Sequence, residues 1–168
     1  GNQEFKAVKK LTSFLKSKGF SVETNLIGKP TAFKAVYESK KPGPSVAFLC
    51  EYDALPEIGH GCGHNMIGTM SCGAAAGLSK VLDETGGRIV VLGTPAEETD
   101  GAKVEMAKKG IFEGIDAAMI LHPEDKTYES GDSLAMDALQ FDFKGKTSHA
   151  ASSPHEGINA LDAVILTF

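Results

Sequence analysis

SVAFLCEYDALPEIGHGCGHNMIGTMSCGAAAGLSKVL, residues Ser45 to Leu82, decides how this chain folds. SVAFLC (Ser45 to Cys50) is a continuous apolar run between Pro44 and Asp53, the pattern of a strand buried on both faces. A glycine-rich loop follows at Ile58 to Gly63. His64 to Leu82 is then small and apolar enough to predict a helix packed closely on a sheet. Further out, RIVVLG (Arg88 to Gly93) predicts a second buried strand, Gly101 to Lys109 a short helix, and IDAAMIL (Ile115 to Leu121) a third strand. Toward the start, Thr31 to Glu38 alternates polar and apolar residues as a strand does. Phe5, Val8, Leu11, Phe14 and Leu15 recur at helical spacing before Gly19, which predicts an amphipathic helix over Asn2 to Lys18. Strand, helix, strand, helix, strand is the order of an α/β fold with a largely parallel central sheet flanked by helices.

Composition narrows the function classes. The 168 residues suffice for one sizeable core, and 42% hydrophobic with 23% charged is ordinary for a globular protein. A net charge of -5, with no basic cluster beyond pairs such as Lys9-Lys10, Lys40-Lys41 and Lys108-Lys109, disfavours a nucleic-acid surface. No apolar run approaches the roughly 20 residues of a membrane span, and Gly1 to Lys10 lacks the apolar stretch of a signal peptide. With 3 cysteines, an odd number, a disulfide framework is not indicated. The expectation is a cytoplasmic protein without nucleic-acid or membrane partners.

Chemistry concentrates after each of the three strands SVAFLC, RIVVLG and IDAAMIL. GHGCGHN (Gly59 to Asn65) offers Cys62 and His64, TPAEE (Thr94 to Glu98) offers Glu97 and Glu98, and LHP (Leu121 to Pro123) offers His122. These side-chain types bind a borderline divalent metal and activate its water. Ligands of open α/β sheets bind beyond the carboxyl ends of the strands, so three separate segments converge on one crevice. Each residue also has a plainer reading. Cys62 fits a small buried residue, the glutamate pair fits the charged first turn of a helix, and His122 fits a loop histidine. Against these, two adjacent carboxylates can divide metal binding and proton transfer, and Pro123 restricts His122 to extended geometry. Cys50 and Cys72 read as packing residues, and His60 and His155 as structural. A thiol hydrolase with Cys62 as nucleophile and His64 as base is a third possibility, separable by its indifference to chelators.

EYDALPEIGHGCGHN (Glu51 to Asn65), TPAEE, LHP and GKTSHAASSPHEGINALDA (Gly145 to Ala163), in that order, resemble the amidohydrolase branch of the aminoacylase and carboxypeptidase metallopeptidases. That branch includes aminobenzoyl-glutamate hydrolase, indole-acetyl-amino-acid hydrolases and cytosolic dipeptidases acting on basic-residue dipeptides. The resemblance implies Cys62, His64, Glu98 and His122 as metal ligands, Glu97 as general base and Asp53 as a carboxylate beside the metal. It also implies a divalent metal, two per site, with zinc favoured by the thiolate over manganese, cobalt or nickel. Two departures stand out. Many relatives carry His where this chain has Glu51, and Asp where it has Asn65. The first suggests a site built around the Cys62 thiolate, and the second weakens assignment to auxin-conjugate hydrolases.

The same resemblance implies residues 1–133 as the first part of a catalytic domain and 134–168 as the start of a lid and dimerisation domain. Here the sequence predicts a strand at Leu134 to Phe143, a turn at Lys144 to Ser148 and a helix from about Gly157. His149 resembles the lid histidine that reaches a partner subunit's site and stabilises an oxyanion, which implies a homodimer. Relatives are about twice this length, and their catalytic domain resumes after the lid with one further metal-binding histidine that nothing after Phe168 supplies. The expected function is metal-assisted hydrolysis of an amide bond in an N-acyl amino acid, dipeptide or aminobenzoyl-glutamate-like compound, with Glu97 moving the proton. The alternatives are a noncatalytic metal-binding or scaffolding relative, or an inactive piece.

Overall fold

β3 (Ser45–Cys50) has the bounds its apolar run predicts and sits inside the sheet, paired in parallel on both sides. The computed structural model describes residues 1–129, 134, 135, 137 and 139–168. They form two compact units, Gly1–Thr127 and Tyr128–Phe168. In the first, β1 (Ser21–Thr24), β2 (Phe33–Glu38), β3, β4 (Arg88–Gly93) and β5 (Ala117–Met119) build one sheet in the order β1-β2-β4-β3-β5. The three strands that precede the chemical motifs are mutually parallel, with Cys50 opposite Gly93 and Phe48 opposite Met119. Their carboxyl ends therefore share one edge of the layer. β2 joins β4 antiparallel and β1 joins β2 antiparallel, so the sheet is parallel at its site and antiparallel at its far side.

β4 shows why the sheet sits between helices. Its side chains alternate across the pleat: Ile89 and Val91 enter a core with Val8 and Leu15 of α1 (Phe5–Ser17) and Cys72 and Ala75 of α2 (His64–Leu78). Val90 and Leu92 enter a second core with Ala102 and Met106 of α4 (Ala102–Lys108). Burying both faces calls for an unbroken apolar run, as read in the sequence. α2 approaches β3 closely because Gly68 has no side chain: a Cβ there would stand 2.8 Å from the Glu51 carbonyl oxygen.

Several elements differ from expectation, and the strand expected over Ile115 to Leu121 is shorter, Ala117–Met119, and exposed. The helix expected over His64 to Leu82 stops at Leu78, turns through Ser79–Val81 and restarts as the single turn α3 (Leu82–Thr85), which lets Leu82 reach the core. β1 was not predicted, because four residues with one half-buried side chain carry too little alternation to register. Of the strand expected over Leu134 to Phe143, the described residues carry no strand, and residues 136 and 138 lie outside the described ones. Alternation specifies a strand only where another strand supplies ladder partners. In this second unit the described pairing is the Lys146–Ile158 bridge. Its helix, α5 (Ala160–Thr167), begins three residues later than expected because Asn159 caps it, accepting the Leu161 N–H at 3.1 Å.

Candidate metal centre

His64 opens α2 at the end of the glycine-rich loop and is 1% exposed. Its Nδ1 pairs with Asp53 Oδ1 at 2.8 Å, and with that nitrogen carrying the ring's proton Nε2 is the atom that offers a lone pair. Among the described residues no hydrogen bond reaches that Nε2. Around it stand Glu51 Oε2 at 3.3 Å, Glu98 Oε1 at 3.8 Å and Glu97 Oε2 at 3.9 Å. A buried acceptor ringed by carboxylates is unfavourable by itself and becomes favourable around a cation.

The neighbouring loops place the remaining donors. Gly63, at φ +81°, lets the chain turn into α2, and a Cβ on it would meet Pro123 Cγ at 2.6 Å. Only a glycine admits Pro123 so near. That approach brings His122 beside Cys62, with Nε2 to Sγ at 3.5 Å. The His122 Nδ1–H donates to the Pro123 carbonyl at 2.8 Å, which turns Nε2 toward the Cys62 thiol. The two imidazoles lie edge to face, 5.8 Å between ring centres.

The glutamate pair rides on a tight turn after β4. Thr94 N–H donates to the Cys50 carbonyl at 2.9 Å, tying together the ends of β3 and β4. Ala96 is buried at φ +59°, a left-handed conformation costly for a residue with a Cβ, and its N–H is taken by the Glu4 carboxylate at 3.2 Å. Two residues on, the Glu98 N–H donates to Asp53 Oδ2 at 3.1 Å. Two carboxylates from distant segments thus clamp the turn that carries Glu97 and Glu98. These glutamates precede α4 by several residues, so they are not its charged first turn.

Cys62, His64 and His122 form one group of donors within ligating reach, and His64, Glu97 and Glu98 form another that shares the same histidine. The sheet thus brings together Asp53, Cys62, His64, Glu97, Glu98 and His122. His149 lies in the second unit, where its Nδ1 accepts the backbone N–H groups of Ala151 at 3.3 Å and Ser152 at 3.2 Å. The Cys62 thiol is pushed up to about 11 by burial, by its hydrogen bond with Glu98 and by the charges of Glu98, Glu97 and Glu51. Sequence reasoning noted Glu51 only as a departure from relatives and missed Lys103 and Glu4. A usable signal existed for Glu51: in an extended segment residues 51 and 53 point to the same side.

Imidazole, thiol and carboxylate donors at the carboxyl edge of a parallel sheet make this an α/β protein with a site suited to a divalent metal. The chain belongs to peptidase family M20/M25/M40, whose model matches residues 47–165. It is 42% identical over 150 residues to the Xaa-Arg dipeptidase of Mus musculus, covering 84% of this chain and 35% of that protein. It is 39% identical over 184 aligned positions to a p-aminobenzoyl-glutamate hydrolase polypeptide of Escherichia coli K12, covering 98% of this chain and 38% of that one. Among solved structures, the Bacillus subtilis YXEP protein, a dinuclear metal binding peptidase of family M20, shares the fold with TM-score 0.61 at 24% identity, over 70% of this chain and 36% of that one. The resemblance to the amidohydrolase branch therefore stands, and the chain spans little more than a third of the length of these curated relatives.

Proposed function

We propose that the protein to which this chain belongs is a metal-dependent amidohydrolase or dipeptidase cleaving an amide bond in an N-acyl amino acid, dipeptide or aminobenzoyl-glutamate-like substrate. The observation that carries this reading is the buried, unpartnered His64 Nε2 facing the Glu97–Glu98 pair. The donor set fits a divalent metal: Cys62, His64, Glu98 and His122 would hold it, and zinc suits a thiolate with imidazoles better than manganese does. When bound, a metal pair supplies Lewis-acid activation of water and of the amide carbonyl.

The chain's own residues do the rest. Asp53 keeps His64 in the tautomer that offers Nε2 and holds the backbone of Glu98. Glu97 is the more exposed of the pair, 41% against 22% for Glu98, and is free to take the proton of the attacking water and deliver it to the departing amine nitrogen. An amide leaves poorly without that proton, so one carboxylate acts as base and then acid. The Nδ1 of His149 is occupied by two backbone donors, which puts its proton on Nε2 as a donor for a developing oxyanion. We assign residues 1–133 to the catalytic domain and 134–168 to the start of a lid through which two subunits pair in the cytoplasm, each His149 serving its partner's site.

Cys62 as a nucleophile is disfavoured by the same geometry. Reactive thiols have lowered pKa values beside cations, whereas burial and the carboxylates of Glu98, Glu97 and Glu51 raise this one. Metal analysis of the full-length protein, with hydrolysis of a panel of dipeptides and acyl amino acids, tests the proposal. Bound divalent metal and chelator-sensitive hydrolysis are expected. Metal without hydrolysis of any panel member would leave a noncatalytic binder, and chelator-resistant hydrolysis would favour the thiol route. For His149, mixing His149→Ala subunits with Glu97→Gln subunits should restore activity above either homodimer, and shown heterodimers with none would end the trans assignment.

A further inference from the structure

Glu51 follows β3 directly, and its side chain is 5% exposed. A carboxylate so deeply buried needs partners for both oxygens. Oε1 has one in the ammonium of Lys103, which projects from the first turn of α4. Oε2 stands 3.3 Å from His64 Nε2, nearer than either Glu97 or Glu98, yet makes no hydrogen bond with it. With the His64 proton on Nδ1 toward Asp53, a lone pair and a carboxylate oxygen face each other, both buried. Two acceptors in that position repel. Two donor atoms on one tetrahedral zinc, each at about 2.0–2.1 Å, lie about 3.3–3.4 Å apart.

We infer that Glu51 is a further ligand of the metal centre, giving Oε2 to the ion that His64 Nε2 holds, while Lys103 secures its other oxygen and balances one of the site's negative charges. This rests on the reading of the cluster as a metal centre. Lys103 is a positioning residue in this arrangement, since it acts on the ion only through Glu51. Two residues just past the end of β3 divide the work on the histidine: Asp53 directs it from behind its Nδ1, and Glu51 meets it at Nε2.

The experiment is metal titration of the chelator-stripped full-length protein with Zn²⁺ and with Co²⁺, followed by competition with a chromophoric chelator and by the visible bands of bound Co²⁺. Glu51→Gln, which keeps shape and an acceptor for Lys103, should weaken binding by more than the roughly 10- to 100-fold typical of losing a ligand's hydrogen-bond partner, with altered Co²⁺ bands. The double variant Glu51→Gln/Lys103→Met, lacking both charges, should weaken it similarly. Glu51→Asp keeps the charge for Lys103 but withdraws the oxygen, so it should lose affinity while its metal-free melting temperature stays near that of the parent. Parental affinity and Co²⁺ bands in the double variant or in Glu51→Asp would return Glu51 to being the counter-ion of Lys103. A parent protein that binds neither metal would overturn the metal-centre reading itself.

Discussion

The carboxylate of Asp53 accepts the His64 Nδ1–H at 2.8 Å with one oxygen, and with the other it takes the backbone N–H of Glu98 at 3.1 Å. One side chain therefore orients the buried imidazole and anchors the glutamate turn. Asp53→Asn should weaken metal binding by about 10- to 100-fold, because an amide no longer enforces the Nδ1–H tautomer and can present an N–H instead. Chelator competition measures this. An unchanged affinity would show that His64 is held by its packing alone.

Glu97→Gln and Glu98→Gln should separate proton transfer from metal binding. The first keeps its metal and loses turnover by about 10²- to 10⁴-fold, since the amide cannot accept a proton. The second loses metal. Near-normal turnover of metal-loaded Glu97→Gln excludes it as the base.

Cys62→Ser should lower metal affinity by removing a thiolate while leaving the fold intact, because Cys62 lies in a loop and only partly buried. In the parent, a divalent metal should protect Cys62 from alkylation. Equal alkylation rates with and without metal return Cys62 to a structural part.

Gly63→Ala should be harmful out of proportion to one methyl group. The left-handed backbone costs about 1–2 kcal/mol for a residue with a Cβ, and the added carbon would sit 2.6 Å from Pro123 Cγ. Chemical denaturation should show at least that loss, and metal affinity should fall with it as His122 is pushed from Cys62. A variant with parental stability and affinity would mean that the 121–123 segment yields freely.

Glu4→Ala should destabilise the protein by about 1–3 kcal/mol by leaving the Ala96 N–H without its acceptor. Glu4→Gln, which keeps a carbonyl acceptor, should recover most of that. If both variants melt like the parent, water replaces the carboxylate and the clamp on the turn is Asp53 alone.

Much of the site is legible in the sequence because its donors follow strands, two of them buried and the third, β5, exposed. SVAFLC and RIVVLG became β3 and β4 with the expected bounds, and an apolar run that long between turn residues has few other solutions. The short amphipathic edges were less legible: β1 carries one half-buried valine, and its pairing depends on β2 being there to receive it.

By itself the sequence determined which segments are buried strands, where the glycines permit turns, and which ligand-type side chains stand at the strand ends, since periodicity and residue chemistry are local properties. Only the tertiary structure decided what those side chains face. Asp53 reaching both His64 and Glu98, Glu4 holding Ala96, Pro123 lying over Gly63, and Glu51 turned between Lys103 and His64 all join separate segments of the chain. Such contacts depend on strand order, on register and on the close seating of α2 over β3, and these follow from packing the whole sheet at once.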